Sequence, residues 1–201
     1  MTAFGSKGEK KLQKEFGCER NATSFYKNQM RDILNPAMQE FIAERDLVFI
    51  ATSDAGGECD CSFRGGPRGF VRILNDRTLA YPEYRGNGVL ASLGNISENP
   101  HIGLIFIDFE ENSIGLHVNG KARIVKNDEL ELEKETRILL EQEKYKEGGK
   151  PPECWVWIEI EEAYIHCSKH IPRFQNMGKQ IHWGTDQESH KRGDFFKAPE
   201  T

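Results

Sequence analysis

From Tyr81 to Pro100 the chain reads YPEYRGNGVLASLGNISENP, which sets Gly86, Gly88 and Ala91 at the spacing G-x-G-x-x-A. Glycines so spaced let backbone N–H groups approach a phosphate. The apolar run before them, and Asp108 closing the next apolar run, sketch a dinucleotide-binding βαβ unit. The detail argues otherwise. In that motif the first glycine ends the strand, whereas Pro82, Glu83, Tyr84 and Arg85 intervene here. Gly94 and Asn95, both weak helix formers, also interrupt the helix that should follow. What survives is a phosphate-binding loop outside a doubly wound fold.

Further donors lie upstream and downstream. The stretch CDCSFRGG puts Ser62 and Arg64 on one strand face. With Arg85, Asn87, Ser92 and Asn95 from the loop they compose a phosphate cradle of guanidinium charge, hydroxyl and amide donors, and a helix start. The same residues equally fit surface arginines beside a helix start. His117 and His166 titrate in the range useful to an acid, a base or a ligand contact, and they also read as half-exposed strand residues. Phe63, Phe70, Trp155, Trp157 and Trp183 can pack a ring system or serve as core and interface. Cys18, Cys59, Cys61, Cys154 and Cys167 form an odd set, as expected of reduced thiols. Cys59, Cys61 and the pair His166-Cys167 do not match zinc spacing, so the cysteines are expected to be small buried hydrophobes. The chain has no Gly-x-Ser-x-Gly elbow, no His-Glu-x-x-His and no Gly-Lys-Ser/Thr loop, which leaves nucleophilic hydrolysis and metalloprotease chemistry without support.

These residues need positioning elements. Helical spacing runs through the first forty-five residues, with Pro36 starting a new helix. LVFIATSD, CDCSFR, FVRIL and TLAYP follow as short strands joined by turns. HIGLIFIDF is apolar on both faces and is expected to be covered twice. IGLHVNGKARIV alternates cleanly, with His117, Asn119, Lys121 and Arg123 on its polar side. Asp128 to Glu147 reads as a charged amphipathic helix with a capping box at Asp128 and Glu131. CWVWIEIEEAYIHC is the last strand, with Val156, Ile158 and Ile160 facing away from Trp155, Trp157, Glu159 and Glu161. Turns this short cannot make parallel crossovers, so the fold is mainly β and antiparallel with flanking helices.

With 201 residues, 37% of them hydrophobic and 29% charged, the composition is that of one water-soluble globular domain. A net charge of -5 argues against general nucleic-acid binding. No run has the length of a membrane span and the first residues lack a signal-like apolar core, so a cytoplasmic location is expected. The expected division is a helical segment over residues 1–45, an antiparallel meander or barrel over 46–177, which the resemblance given next would make a split-barrel flavin-binding domain, and a carboxy-terminal arm over 178–201.

Taken in order, FIATSDAGGECDCSFRGGPRGFVRIL, TLAYPEYRGNGVLASLGNISENPHIGLIF and LHVNGKARIV resemble the pyridoxamine 5'-phosphate oxidase-like, FMN-binding split-barrel family. They look most like its predicted flavin-nucleotide-binding branch, over about residues 38 to 170. The resemblance implies a six-stranded antiparallel split barrel, a homodimer, and FMN at two sites between the subunits. It assigns Arg64, Arg85, Asn87 and Ser92 to the FMN phosphate, counts Ser62 among the cofactor-binding residues, and lays the backbone of Gly69, Phe70 and Val71 along the isoalloxazine. His117 and Asn119 would reach the ring or ribityl edge, and His166 and Lys169 would complete the site. The implied function is flavin-mediated hydride or electron transfer with a small-molecule donor or acceptor. The alternatives are flavin binding or storage without catalysis, or a barrel that holds haem or F420. Ser92 stands where the family's oxidases carry a basic residue, and the chain lacks their Arg-Leu-x-Pro-like substrate element, so pyridoxamine phosphate oxidation is not expected.

Overall fold

The computed structural model describes residues 4–130, 150–185, 187–190, 193 and 195–197. Three helices lead the chain: α1 (Lys7–Glu15), α2 (Glu19–Asn28) and α3 (Pro36–Ala43). The start of α3 is specified twice over, because Asn35 Oδ1 accepts from Met38 N at 2.9 Å and Pro36 occupies the first turn. Strands β1 (Leu47–Ser53) and β2 (Cys59–Gly65) form a hairpin whose turn is fixed by Asp54 Oδ1 accepting from Gly56 N and Glu58 N. There follow β3 (Arg72–Asn75), β4 (Thr78–Glu83), α4 (Ala91–Glu98), β5 (His101–Ile107), β6 (Gly115–Lys126), a short α5 (Asn127–Leu130) and β7 (Cys154–His166). The expected helix from Asp128 to Glu147 lies, beyond Leu130, outside the described residues.

All the strands join one antiparallel sheet in the order β2-β1-β5-β6-β7-β4-β3. The sheet has seven strands rather than the six the resemblance implied, because the four residues of β3 pair with β4 and extend the edge. No ladder among the described residues closes it. It curls instead until β2 meets β4, where Arg64 Nε donates to Glu83 Oε2 at 2.9 Å across the gap.

The inner face holds the core: Val48, Ile50, Leu104, Phe106, Val118 and Ile158 are all buried, with Ile42 of α3 packed over them. The outer face of β5 is different, since Ile105 and Ile107 remain half exposed. The expected second cover is therefore not supplied by the described residues of a single chain. Tyr81 is fully buried and its hydroxyl has no hydrogen-bond partner among the described residues. Burial, with Glu83 nearby, raises its phenol far above the usual range. Tyr81→Phe is therefore expected to be neutral or to stabilise by up to about 1 kcal/mol in a thermal melt. A clear loss of stability would show that the hydroxyl is bonded after all.

Candidate functional site

Alternation along β2 puts Asp60, Ser62 and Arg64 on the inner face, opposite Thr52, Ile50 and Val48 of β1. Asp60 is the hub of a small polar cluster. Its Oδ2 accepts from Ser62 Oγ at 2.9 Å and from Ser92 Oγ at 3.1 Å. Ser92 is buried, and one helical turn on, Asn95 Nδ2 donates to the buried Thr52 Oγ1 at 3.1 Å. Spacing of three puts Ser92 and Asn95 on one helix face, so the pair fastens α4 to β1 and β2.

At the far end of β2 and β4 charges alternate. Arg64 meets Glu83, the Glu83 carbonyl accepts from Glu153 N at 2.9 Å, and Glu153 Oε1 lies 3.9 Å from Arg85 Nε. Burial pushes the Glu83 carboxyl above the usual range even though Arg64 opposes that shift. The two arginines singled out from the sequence thus converge on the end of β4. Beyond Arg85 the loop is open: a Cβ on Gly86 or Gly88 would meet nothing within 4 Å. Asn87 Oδ1 shapes this loop by accepting from Val89 N at 3.0 Å. Leu90, at φ 57°, enters α4 from the left-handed region, and Val89 and Leu90 are exposed.

His117 and Asn119 lie on the other side of the sheet. Register aligns Phe63, Phe49, Ile105, His117 and Tyr164 in one row across β2, β1, β5, β6 and β7. His117 Nε2 and His166 Nδ1 are 2.9 Å apart, so one ring donates and the other accepts. The His117 ring stacks on Tyr164 at 4.7 Å, and Asn119 Nδ2 donates to Glu162 Oε2 at 3.3 Å. Burial, and then the His166 charge, lower the pKa of His117, which keeps its ring neutral near pH 7.

Strict alternation along β7 would turn His166 inward with Ile160. A bulge opposite Asn119 and Gly120 puts Glu162, Tyr164 and His166 on the outer face instead. Its cause is Gly120, where a Cβ would lie 2.1 Å from the Glu159 carbonyl oxygen.

The remaining expected residues lie elsewhere. Gly69, at φ 70°, packs against the Ala43 carbonyl, and Phe70 and Val71 send their side chains into the core. Lys169 is exposed in the single turn Ser168–His170 that follows β7. The cysteine expectation is corrected: Cys154 is buried, but Cys59, Cys61 and Cys167 are exposed. Cys59 and Cys61 alternate with the inward Asp60 and Ser62 on an edge strand, which turns them out. Sequence reading passed over Asp60, Glu83, Glu153 and Tyr164. Asp60 was within reach, because the alternation that paired Ser62 with Arg64 also includes it.

The structure is thus a curled, seven-stranded antiparallel sheet with flanking helices, and it sets two arginines beside an open glycine loop. Residues 34–167 match the family model of pyridoxamine 5'-phosphate oxidase, and the chain belongs to that family. HupZ of Group A Streptococcus is similar in structure at 20% identity and a TM-score of 0.50, over 66% of this chain and 98% of that one. A candidate pyridoxamine 5'-phosphate oxidase from Lactobacillus delbrueckii has 18% identity and a TM-score of 0.49, over 68% and 98%. An FMN-binding protein from Syntrophomonas wolfei has 14% identity and a TM-score of 0.46, over 78% and 95%. No curated protein matches the chain significantly. Among the described residues no helix is long and apolar enough to cross a membrane.

Proposed function

We propose that the chain binds FMN at the Arg64–Arg85 end of the sheet and acts as a flavin-dependent oxidoreductase. The convergence of Arg64 and Arg85 beside the unobstructed backbone of Gly86 and Gly88 carries this reading. Two guanidinium groups and an open loop ahead of α4 suit a phosphate dianion. Ser62 and Ser92 contribute differently from the sequence expectation. Their hydroxyls are directed at Asp60, so they set the position of α4 and its loop. Burial disfavours the ionised form of Glu83, so its hold on Arg64 is weakly compensated and a phosphate can compete for that guanidinium.

When bound, FMN supplies hydride transfer at its N5, and the protein's task is to bind, orient and shield the ring. Arg64 and Arg85 fix the phosphate end. In this reading the half-exposed outer row with His117 and Tyr164 faces a second copy of the chain, and the homodimer brings one protomer's His117 and Asn119 to the site of the other. Neutral His117 then offers a hydrogen bond to the ring edge without adding charge.

Titration of the purified protein with FMN and with riboflavin tests the phosphate assignment. Arg85→Ala is expected to weaken FMN roughly ten- to a hundred-fold and to leave riboflavin unchanged. Equal loss for both ligands, or none, would remove Arg85 from the phosphate site.

A further inference from the structure

His117 and His166 are diagonal neighbours across β6 and β7, since Gly115 lies opposite His166 and Tyr164 lies opposite His117. Three features bring their rings together. The bulge at Gly120 turns His166 to the outer face. Gly115 leaves the room that ring needs, because a Cβ there would lie 2.9 Å from His166 Cβ and 3.5 Å from its Cγ. Tyr164, stacked on His117 and met edge-on by Phe25 at 5.7 Å, holds the second ring.

Among the described residues neither imidazole makes a hydrogen bond other than the one between them. Of the groups packed against the pair, Tyr164 and Glu162 titrate, and Glu162 is engaged by Asn119 Nδ2. From β5 the pair meets Ile105 and Ile107, and α2 contributes Phe25. The turn after β7 carries Cys167, Lys169 and His170, all exposed.

The contact consumes one N–H and one lone pair. The neutral pair therefore keeps one N–H and one lone pair at its free nitrogens, His117 Nδ1 and His166 Nε2. Moving the shared proton across the 2.9 Å contact exchanges these two ends. One extra proton leaves the contact intact, whereas a second would set N–H against N–H. His117 lies mid-strand and half buried, while His166 ends β7 beside exposed residues.

We infer that His117 and His166 form a one-proton relay, an acid–base site whose inner end serves a bound ligand and whose outer end exchanges with water. A ligand O–H or N–H gives its proton to the His117 Nδ1 lone pair. The proton on His117 Nε2 crosses to His166 Nδ1, and that on His166 Nε2 leaves to water. The reverse sequence resets both rings. This rests on the flavin reading above, in which a ligand that gives up a hydride must also place a proton.

Histidine NMR titration of the full-length protein without FMN tests the shared proton. The parent is expected to protonate the pair in two separate steps, the second at more acidic pH because the first charge opposes it. His117→Phe, which keeps a ring on Tyr164, is expected to leave His166 with a single step. His166→Ala is expected to move the His117 step up toward the ordinary histidine range. A common step for both rings in the parent, or a His117 step unmoved by His166→Ala, would overturn the relay and leave the flavin site standing. In the FMN-loaded protein, the pH at which the midpoint potential changes slope is expected to move in His166→Ala. An identical profile would overturn the coupling to the flavin. A parent that takes up no FMN would overturn the flavin reading together with that coupling, and the titration would still decide the shared proton.

Discussion

Gly120→Ala is expected to unfold at markedly lower urea than the parent, with a loss of about 3 kcal/mol or more and little change in the slope of the transition. The added methyl would sit 2.1 Å from the Glu159 carbonyl oxygen and 3.2 Å from Ile160 Cα, both parts of a paired backbone that cannot rotate aside. Relief requires β6 and β7 to part at the bulge, and these two strands form the longest ladder in the sheet. The same movement would displace Tyr164 and His166 relative to His117. Whatever folded population remains should therefore lose the histidine contact, visible as altered imidazole signals in NMR. Parental stability in this variant would mean that the bulge is not imposed by Gly120.

Asp108→Asn is expected to cost roughly 3 kcal/mol. Asp108 is buried, and its carboxylate accepts from the backbone N–H groups of Glu110, Glu111 and Asn112 and from Asn112 Nδ2. Arg45 Nη1 stands 3.4 Å from Oδ1. An amide turns two of the accepting positions into donors facing donors. Burial alone would raise this carboxyl, but those N–H groups outweigh it and hold the pKa well below the usual carboxylate range. The folded state therefore takes up its proton at lower pH than the unfolded chain does. The stabilisation is complete above the unfolded value of about 4 and is lost as pH falls below it. Urea unfolding followed between pH 7 and pH 3 should show a steep acid loss in the parent and a shallower one in the variant. Parallel curves would exclude Asp108 as the source.

Much of the architecture can be read from alternation and turn chemistry. The spacing in IGLHVNGKARIV places Leu116 and Val118 inward and His117 and Asn119 outward, as found. Asn35-Pro36 starts a helix because each residue satisfies a separate requirement of a helix N-terminus. What escapes is whatever breaks a period. Nothing in WIEIEEAYIH announces that Glu161 is passed over, because the bulge is caused by a glycine on the neighbouring strand. Pairing of charges is equally hidden: Arg64 reads as free until β4 is known to curl beside β2 and deliver Glu83. The cysteines mislead because a small apolar side chain on an edge strand looks the same in sequence whether its face is covered or bare.

The Arg64–Glu83 contact also sets how the barrel can be entered. Every other junction between neighbouring strands is a ladder of backbone hydrogen bonds, whereas the described residues of β2 and β4 meet across this seam through a partly buried ion pair. Among the described residues no main-chain bond joins β2 to β4, so widening the seam leaves the strand registers intact. A bound anion that takes over Arg64 exchanges one partner for another, so the seam can loosen as the ligand arrives and re-form when it departs. On the proposed reading of Arg64 as a phosphate contact, the sheet has a built-in doorway whose latch also holds the ligand.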